Sequence, residues 1–221
     1  MNDFEMPTFV TPKLRTTVIA NSFTNGVMPQ IEPSEEEIDF VLSIFQQSRG
    51  KELKCVYCDE PATEWDHFRP LISNKKPSGY MTDIYNLVPC CHLCNCSKGA
   101  KNWRDYLNST SKKSARTRLA SKNQTHLIDK NGRLYKNLEA FEKESDKKVH
   151  HIKISYDAND NITEIKWYKG NTLISAKDSR IVKEITDYYS KLDIIKQLLK
   201  DVTNDGNRLR DKMNFIINET N

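Results

Sequence analysis

Residues 55–99 read CVYCDEPATEWDHFRPLISNKKPSGYMTDIYNLVPCCHLCNCSKG. The stretch opens with Cys55 and Cys58, closes with Cys91 and Cys94, and carries Asp66 and His67 between them. Two Cys-x-x-Cys pairs a few dozen residues apart can bring four thiolates to one tetrahedral ion. Soft thiolates select zinc, and a closed four-sulfur shell leaves no place for substrate, so the expected zinc is structural. Cys90 and Cys96 flank the second pair. A ligand set using Cys90 with Cys94, or Cys91 with Cys96, stays open, although only Cys91 and Cys94 repeat the spacing of the first pair. A structural zinc needs neither Asp66-His67 nor the Asn95 that follows its last ligand. Those groups mark a reactive site held by a metal clip.

Composition narrows the setting. All six cysteines of the 221-residue chain lie between positions 55 and 96. In a reducing compartment such clustering reads as metal ligation, not covalent cross-linking. No run of eighteen apolar residues occurs, which argues against a transmembrane helix and a membrane partner. The first residues, MNDFEMPTFVTPKLR, lack a signal peptide's basic start and apolar middle, so a cytoplasmic location is expected. The net charge of +4 says little, but its distribution says more: from Ser97 to Lys122, eight basic residues stand against one acid, Asp105. Lys98, Lys101, Arg104, Lys112, Lys113, Arg116 and Arg118 are candidate nucleic-acid contacts through phosphate. A solvated helix face would share that composition.

Outward from this stretch the chain reads as α+β. Residues 1–30 form an arm with prolines at 7, 12 and 29 and a β-prone piece from Thr16 to Ile19. Ser34 and Glu37 predict a capping box, followed by a helical stripe of Ile38, Val41, Leu42 and Phe45, with Gly50 as the stop. A knuckle and short hairpin are expected over 55–70, with Glu64 to Phe68 as its second strand. Strand alternation sends Trp65 and His67 one way and Asp66 and Phe68 the other. Trp65 and Trp103 suit core packing better than base stacking. A polar, basic loop follows from Ser73 to Gly79, and one short helix should run from near Cys94 through Trp103, Tyr106 and Leu107. Beyond the basic segment, Asn131-Gly132 predicts a hairpin turn. Strands are expected over His151–Tyr156 and Ile162–Tyr168. Ile181, Ile185, Tyr188, Leu192, Ile195 and Leu199 predict a long amphipathic helix, and Leu209, Met213 and Ile216 a last short one. The expected divisions are an arm (1–30), a core with its supporting helix and basic segment (31–122), and an accessory region for recognition or dimerisation (123–221).

The ordered set Cys55-x-x-Cys58, Asp66-His67-x-x-Pro70, Asn86-Leu87-Val88-Pro89 and Cys91-x-x-Cys94-Asn95-x-x-Lys98-Gly99 resembles the HNH endonucleases of the ββα-metal fold, in their zinc-stabilised form. The resemblance implies an HNH core flanked by the N-terminal helix and the accessory region. It implies His67 as the general base on water, and Asp66 and Asn95 as ligands of a catalytic Mg²⁺ or Mn²⁺. Asn86 is implied as the residue that fixes loop and histidine geometry, with Lys98 near the phosphate. Phe68-Arg69-Pro70 is similar to HNH proteins of bacterial anti-phage defence, and the run from Lys76 to Tyr80 is similar to small restriction endonucleases. The leading expectation is a type II restriction endonuclease cutting foreign double-stranded DNA, acting as a homodimer through the C-terminal helix. One alternative is a nuclease effector of a Septu- or retron-type system with an ATPase partner. Another is a catalytically silent zinc module that binds nucleic acid.

Overall fold

The computed structural model describes residues 30–73, 76–159 and 162–174, with single positions at 197, 201, 204, 205 and 208. The expected arm over 1–30, the stripe from Ile181 to Leu199 and the last short helix lie outside the described residues, apart from Gln30 and single positions further on. The chain divides into two compact units. One holds Gln30–Leu71 and Ser78–Ile174; the other includes Ile72–Pro77 and Ser175–Asn221. Residues 78–174 share one unit.

In the larger unit, helix α1 spans Glu35–Ile44. Ser34 Oγ accepts from the Glu37 amide at 3.3 Å, and Glu37 Oε2 accepts from the Ser34 amide at 3.1 Å, which completes the expected capping box. Such a cap contributes about 1 kcal/mol. The helix stops before Gly50, because Phe45 is its C-cap and Gln46 adopts φ 59°. Phe45 instead turns inward, its ring 5.2 Å from that of Phe141.

Strand β1 (Glu64–His67) has a different partner from the one expected. It pairs antiparallel with a strand twenty residues on, Leu87–Cys90, in the register Glu64 to Cys90 through His67 to Leu87. The knuckle before it closes only through a bridge between Lys54 and Pro61. In the smaller unit, β2 (Ile72–Ser73) pairs with β3 (Lys76–Pro77), so the expected basic loop holds a short ladder. The return strand Leu87–Cys90 is β4, and a 3₁₀ turn, Ile84–Asn86, leads into it.

Helix α2 (His92–Lys98) follows β4 directly. Gly99, at φ 52° and ψ −129°, breaks the helix where a side chain would strain the backbone. A separate helix α3 (Trp103–Asn108) starts after Asn102, whose side chain caps it. Two helices thus replace the single one expected. Helix α4 spans Ala115–Ala120.

The hairpin expected about Asn131-Gly132 is absent. Gly132 is instead the N-cap of α5 (Arg133–Lys148), the longest described helix. Leu134, Leu138, Phe141 and Ser145 recur at helical spacing and are buried. That periodicity outweighs the local turn signal. A Cβ at Gly132 would lie 2.3 Å from the His126 carbonyl oxygen, so glycine is needed by close approach.

Strands β5 (His150–Tyr156), β6 (Ile162–Lys169) and β7 (Thr172–Leu173) form an antiparallel sheet, close to the strands expected. The core gathers α1, the strand pair, α3, α4 and α5 into one buried cluster. Phe68 meets Phe141 edge-on at 5.0 Å and lies 6.2 Å from Trp103. Trp65 and Trp103 are both buried, as expected of core residues. No helix among the described residues is long and apolar enough to cross a membrane.

Candidate metal centre and the Asp66–His67 site

The β1–β4 pairing brings the two cysteine knuckles together. The sulfurs of Cys55, Cys58, Cys91 and Cys94 all lie within 4.8 Å of one another, and all four residues are buried. Around a tetrahedral ion with bonds of 2.3 Å, sulfurs sit about 3.8 Å apart. Cys58 and Cys91, at 3.6 Å, already match that spacing. The four thiols can hold a metal such as zinc. Cys90 and Cys96 lie outside this set. Cys90 is buried with its sulfur 4.0 Å from that of Cys55, and burial pushes its thiol pKa up. Cys96 is exposed, 3.5 Å from His92 Nε2.

Beside the sulfurs, β1 carries Asp66 and His67 in an unbroken register. Their side chains find different partners. Asp66 is 4% exposed, and its Oδ2 accepts from the Tyr57 hydroxyl at 2.8 Å and pairs with Lys98 Nζ at 2.9 Å. Burial pushes the Asp66 carboxyl pKa up, against the pull of Lys98 and Tyr57. Burial, followed by the charge on Asp66, holds Tyr57 well above the ordinary phenol range, so it remains a donor. His67 Nε2 lies 3.0 Å from Thr82 Oγ1. Burial, and then the charge of Lys98, lower its pKa to about 4, which keeps the imidazole neutral near pH 7.

Asn86 is fully buried beneath the residues that follow His67. Its Oδ1 accepts from the Arg69 amide at 2.8 Å, while its Nδ2 donates to the Arg69 and Met81 carbonyls at 3.0 Å. The backbone at Arg69 is thereby bracketed by one amide side chain. Asn95, on α2, donates through Nδ2 to Glu64 Oε2 at 2.6 Å, and His92 Nδ1 meets Glu64 Oε1 at 2.6 Å. Both contacts to Asp66 fall on Oδ2, and Asn95 is held by its nitrogen. Each residue therefore keeps an Oδ1 outside those bonds, the donor class that suits Mg²⁺ or Mn²⁺.

The candidate phosphate contacts separate into two groups. Lys98 is 1% exposed and also donates to the His67 carbonyl at 2.9 Å, so it bolts α2 to β1. Arg104 pairs with Glu142 at 2.6 Å and lies over the Trp103 ring. Arg116 donates to the Leu107 carbonyl and pairs with Asp129. Arg118 donates to the sulfurs of Cys94 and Cys91. Lys101 is exposed with its amine on the Ser97 carbonyl, and Lys112 and Lys113 are exposed.

Sequence reading missed Tyr57, Glu64 and Thr82, and the pairing of His150 Nδ1 with Asp83 Oδ2 at 2.6 Å. Only Tyr57 had a local signal, its place between Cys55 and Cys58. The others depend on contacts between distant segments. An α+β chain with a four-cysteine cluster able to hold a metal such as zinc is what fold and geometry define. No protein-family model, curated protein or solved structure matches the chain.

Proposed function

We propose that the chain is a metal-dependent endonuclease of the HNH kind, hydrolysing phosphodiester bonds in foreign double-stranded DNA as a restriction enzyme. The observation that carries this reading is the placement of Asp66 and His67 on one strand, β1, whose pairing with β4 also brings the four cysteines together. Zinc on the cysteines serves as a clip that sets β1 against β4 and α2.

Hydrolysis needs a base for water and positive charge near the phosphate. In the tautomer whose Nε2–H donates to Thr82, His67 keeps a lone pair on Nδ1 to take a proton from water. Asn86 holds the backbone just beyond His67 and so fixes its approach. Asp66 and Asn95 would hold a divalent ion, which supplies Lewis-acid charge at the phosphate when bound. Lys98 already gives Asp66 a cationic partner within the chain. The sequence of the target must be read elsewhere, because such a unit reaches mainly the DNA backbone.

Plasmid cleavage with Mg²⁺ tests the reading. His67→Ala should abolish cleavage while zinc content and DNA affinity stay near wild type. Asn95→Ala should demand more Mg²⁺, and Asp66→Ala should do so too. Because Asp66→Ala leaves buried Lys98 without its partner, it should also lose stability, so its Mg²⁺ response is read on the folded fraction. Near-normal turnover in His67→Ala would remove His67 as the base. Discrete ends from the isolated chain favour a restriction enzyme; activity only with an ATPase partner favours the defence effector.

The Asp66–Lys98 pair favours a second reading, a silent zinc module, because it neutralises the carboxylate without any added ion. That reading requires zinc binding with no metal-dependent cleavage.

A further inference from the structure

We propose that Arg118 is the counter-cation of the four-cysteine centre, and that through it the bound metal holds helix α4 against the knuckles. The inference rests on the reading of the four cysteines as a zinc site and is independent of nuclease activity.

Charge supplies the first reason. Four thiolates around a divalent ion carry a net charge of −2, and these sulfurs are buried, with Cys55 and Cys94 at 0% exposure. Uncompensated charge in such surroundings is costly. Nearby cations have other partners: Lys98 is paired with Asp66, Lys122 with Glu60 and Arg133 with Asp59. Arg118 faces sulfur instead. One guanidinium nitrogen donates to Cys94 Sγ and the other lies 3.8 Å from Cys91 Sγ, so the fork spans both cysteines of the second knuckle. Its Nε is buried with no hydrogen-bond partner, a cost accepted in reaching the sulfurs.

Packing supplies the second. An open pocket of about 460 Å³ is lined by Cys58, Cys91 and Leu93 together with Arg118, Leu119 and Lys122. Ala115 and Leu119 anchor the inner face of α4 in the core, and at the pocket the guanidinium–sulfur contact adds a polar tie between the helix and the second knuckle. Partners that donate to metal ligands typically change metal affinity about 10–100-fold when removed. Linkage makes the effect reciprocal: if α4 strengthens metal binding, metal binding steadies α4 by the same factor.

The test uses the full-length chain. Metal analysis of the wild type comes first, and a folded protein without zinc overturns both the zinc site and this inference. Zinc affinity is then measured by competition with a chelating dye in wild type, Arg118→Lys, Arg118→Gln and Arg118→Ala. The Gln and Ala variants should bind zinc about 10–100-fold more weakly. Lys should fall between them and wild type, since it keeps the charge and loses the fork. Hydrogen exchange at the amides of Ala115 to Ala120 should quicken in zinc-loaded Arg118→Ala. Wild-type zinc affinity in Arg118→Gln overturns the proposal; if that variant also shows a shallower salt dependence of DNA binding, Arg118 is a phosphate contact. Should Arg118→Ala fail to fold, refolding by excess zinc supports the proposal. Failure to refold at any zinc concentration makes Arg118 a packing residue and overturns it.

Discussion

Lys98 illustrates how one side chain can change meaning once its surroundings are known. Its ammonium is buried against Asp66, with the paired side chains 0% and 5% exposed. Removing one partner of such a pair costs about 3–5 kcal/mol, because the remaining charge is left without compensation. Lys98→Ala should therefore unfold at markedly lower urea, whereas Asp66→Asn with Lys98→Met should recover most of the loss. Equal stability of Lys98→Ala and wild type would mean that Asp66 is not charged in the fold. His67 gives a pH signature of known sign. Its folded pKa of about 4 lies below the ordinary 6.5, so the unfolded chain binds the proton first as pH falls. The stability it contributes is complete above 6.5 and is lost as pH falls toward 4. Asp66, shifted upward by burial, works in the opposite direction. The comparison must therefore be wild type against His67→Gln, by urea unfolding at pH 7 and pH 4.5. The wild type should lose more stability between those values, and parallel behaviour would exclude a half-buried imidazole held neutral by the fold.

Among the elements, α5 does what no motif predicted. It places Phe141 at 0% exposure against Phe45 and Phe68, and Ser145 and Asp146 against Arg69. The helix thus backs the chain segment that leaves His67. Phe141→Ala should cost about 3–5 kcal/mol and lower the midpoint of a single unfolding transition of the larger unit. A separate early transition would show instead that α5 folds apart from the strand pair. Capping explains why α1 was legible beforehand: Ser34 and Glu37 satisfy each other within four residues. Gly99 split α2 from α3 because its backbone adopts a positive φ that the apolar spacing did not reveal.

At the scale of the whole molecule, the basic segment supplies fewer free charges than its composition suggests. Lys98, Arg104, Arg116 and Arg118 are engaged within the fold, which leaves Lys112 and Lys113 as the clearest exposed pair. Lys112→Ala with Lys113→Ala should weaken binding to every DNA sequence and reduce the log–log salt slope by about 0.9 per lost contact. An unchanged slope with an altered cleavage site would make the segment a sequence reader. On the proposed nuclease reading, one base and one ion would serve one strand at a time, and the expected stripe from Ile181 to Leu199 is the proposed contact between two copies. If the stripe joins two copies, glutamate at Ile185 and Leu192 should give a folded monomer that nicks plasmid but linearises it poorly. Sedimentation velocity checks the mass, and a wild-type monomer that makes double-strand breaks without a nicked intermediate would reject the dimer.

The sequence by itself determined what short-range chemistry can specify. Matched knuckle spacing identified Cys55, Cys58, Cys91 and Cys94, local capping started α1, and alternation outlined β5 and β6. Each signal is complete within a few residues. Tertiary structure alone decided that β1 pairs with β4, that Gly132 opens a helix, and that Lys98 and Arg118 turn inward to Asp66 and to sulfur. Those outcomes depend on burial and on the partner a charge meets after distant segments converge. Composition records a lysine or arginine as positive; only the fold shows which negative group it neutralises.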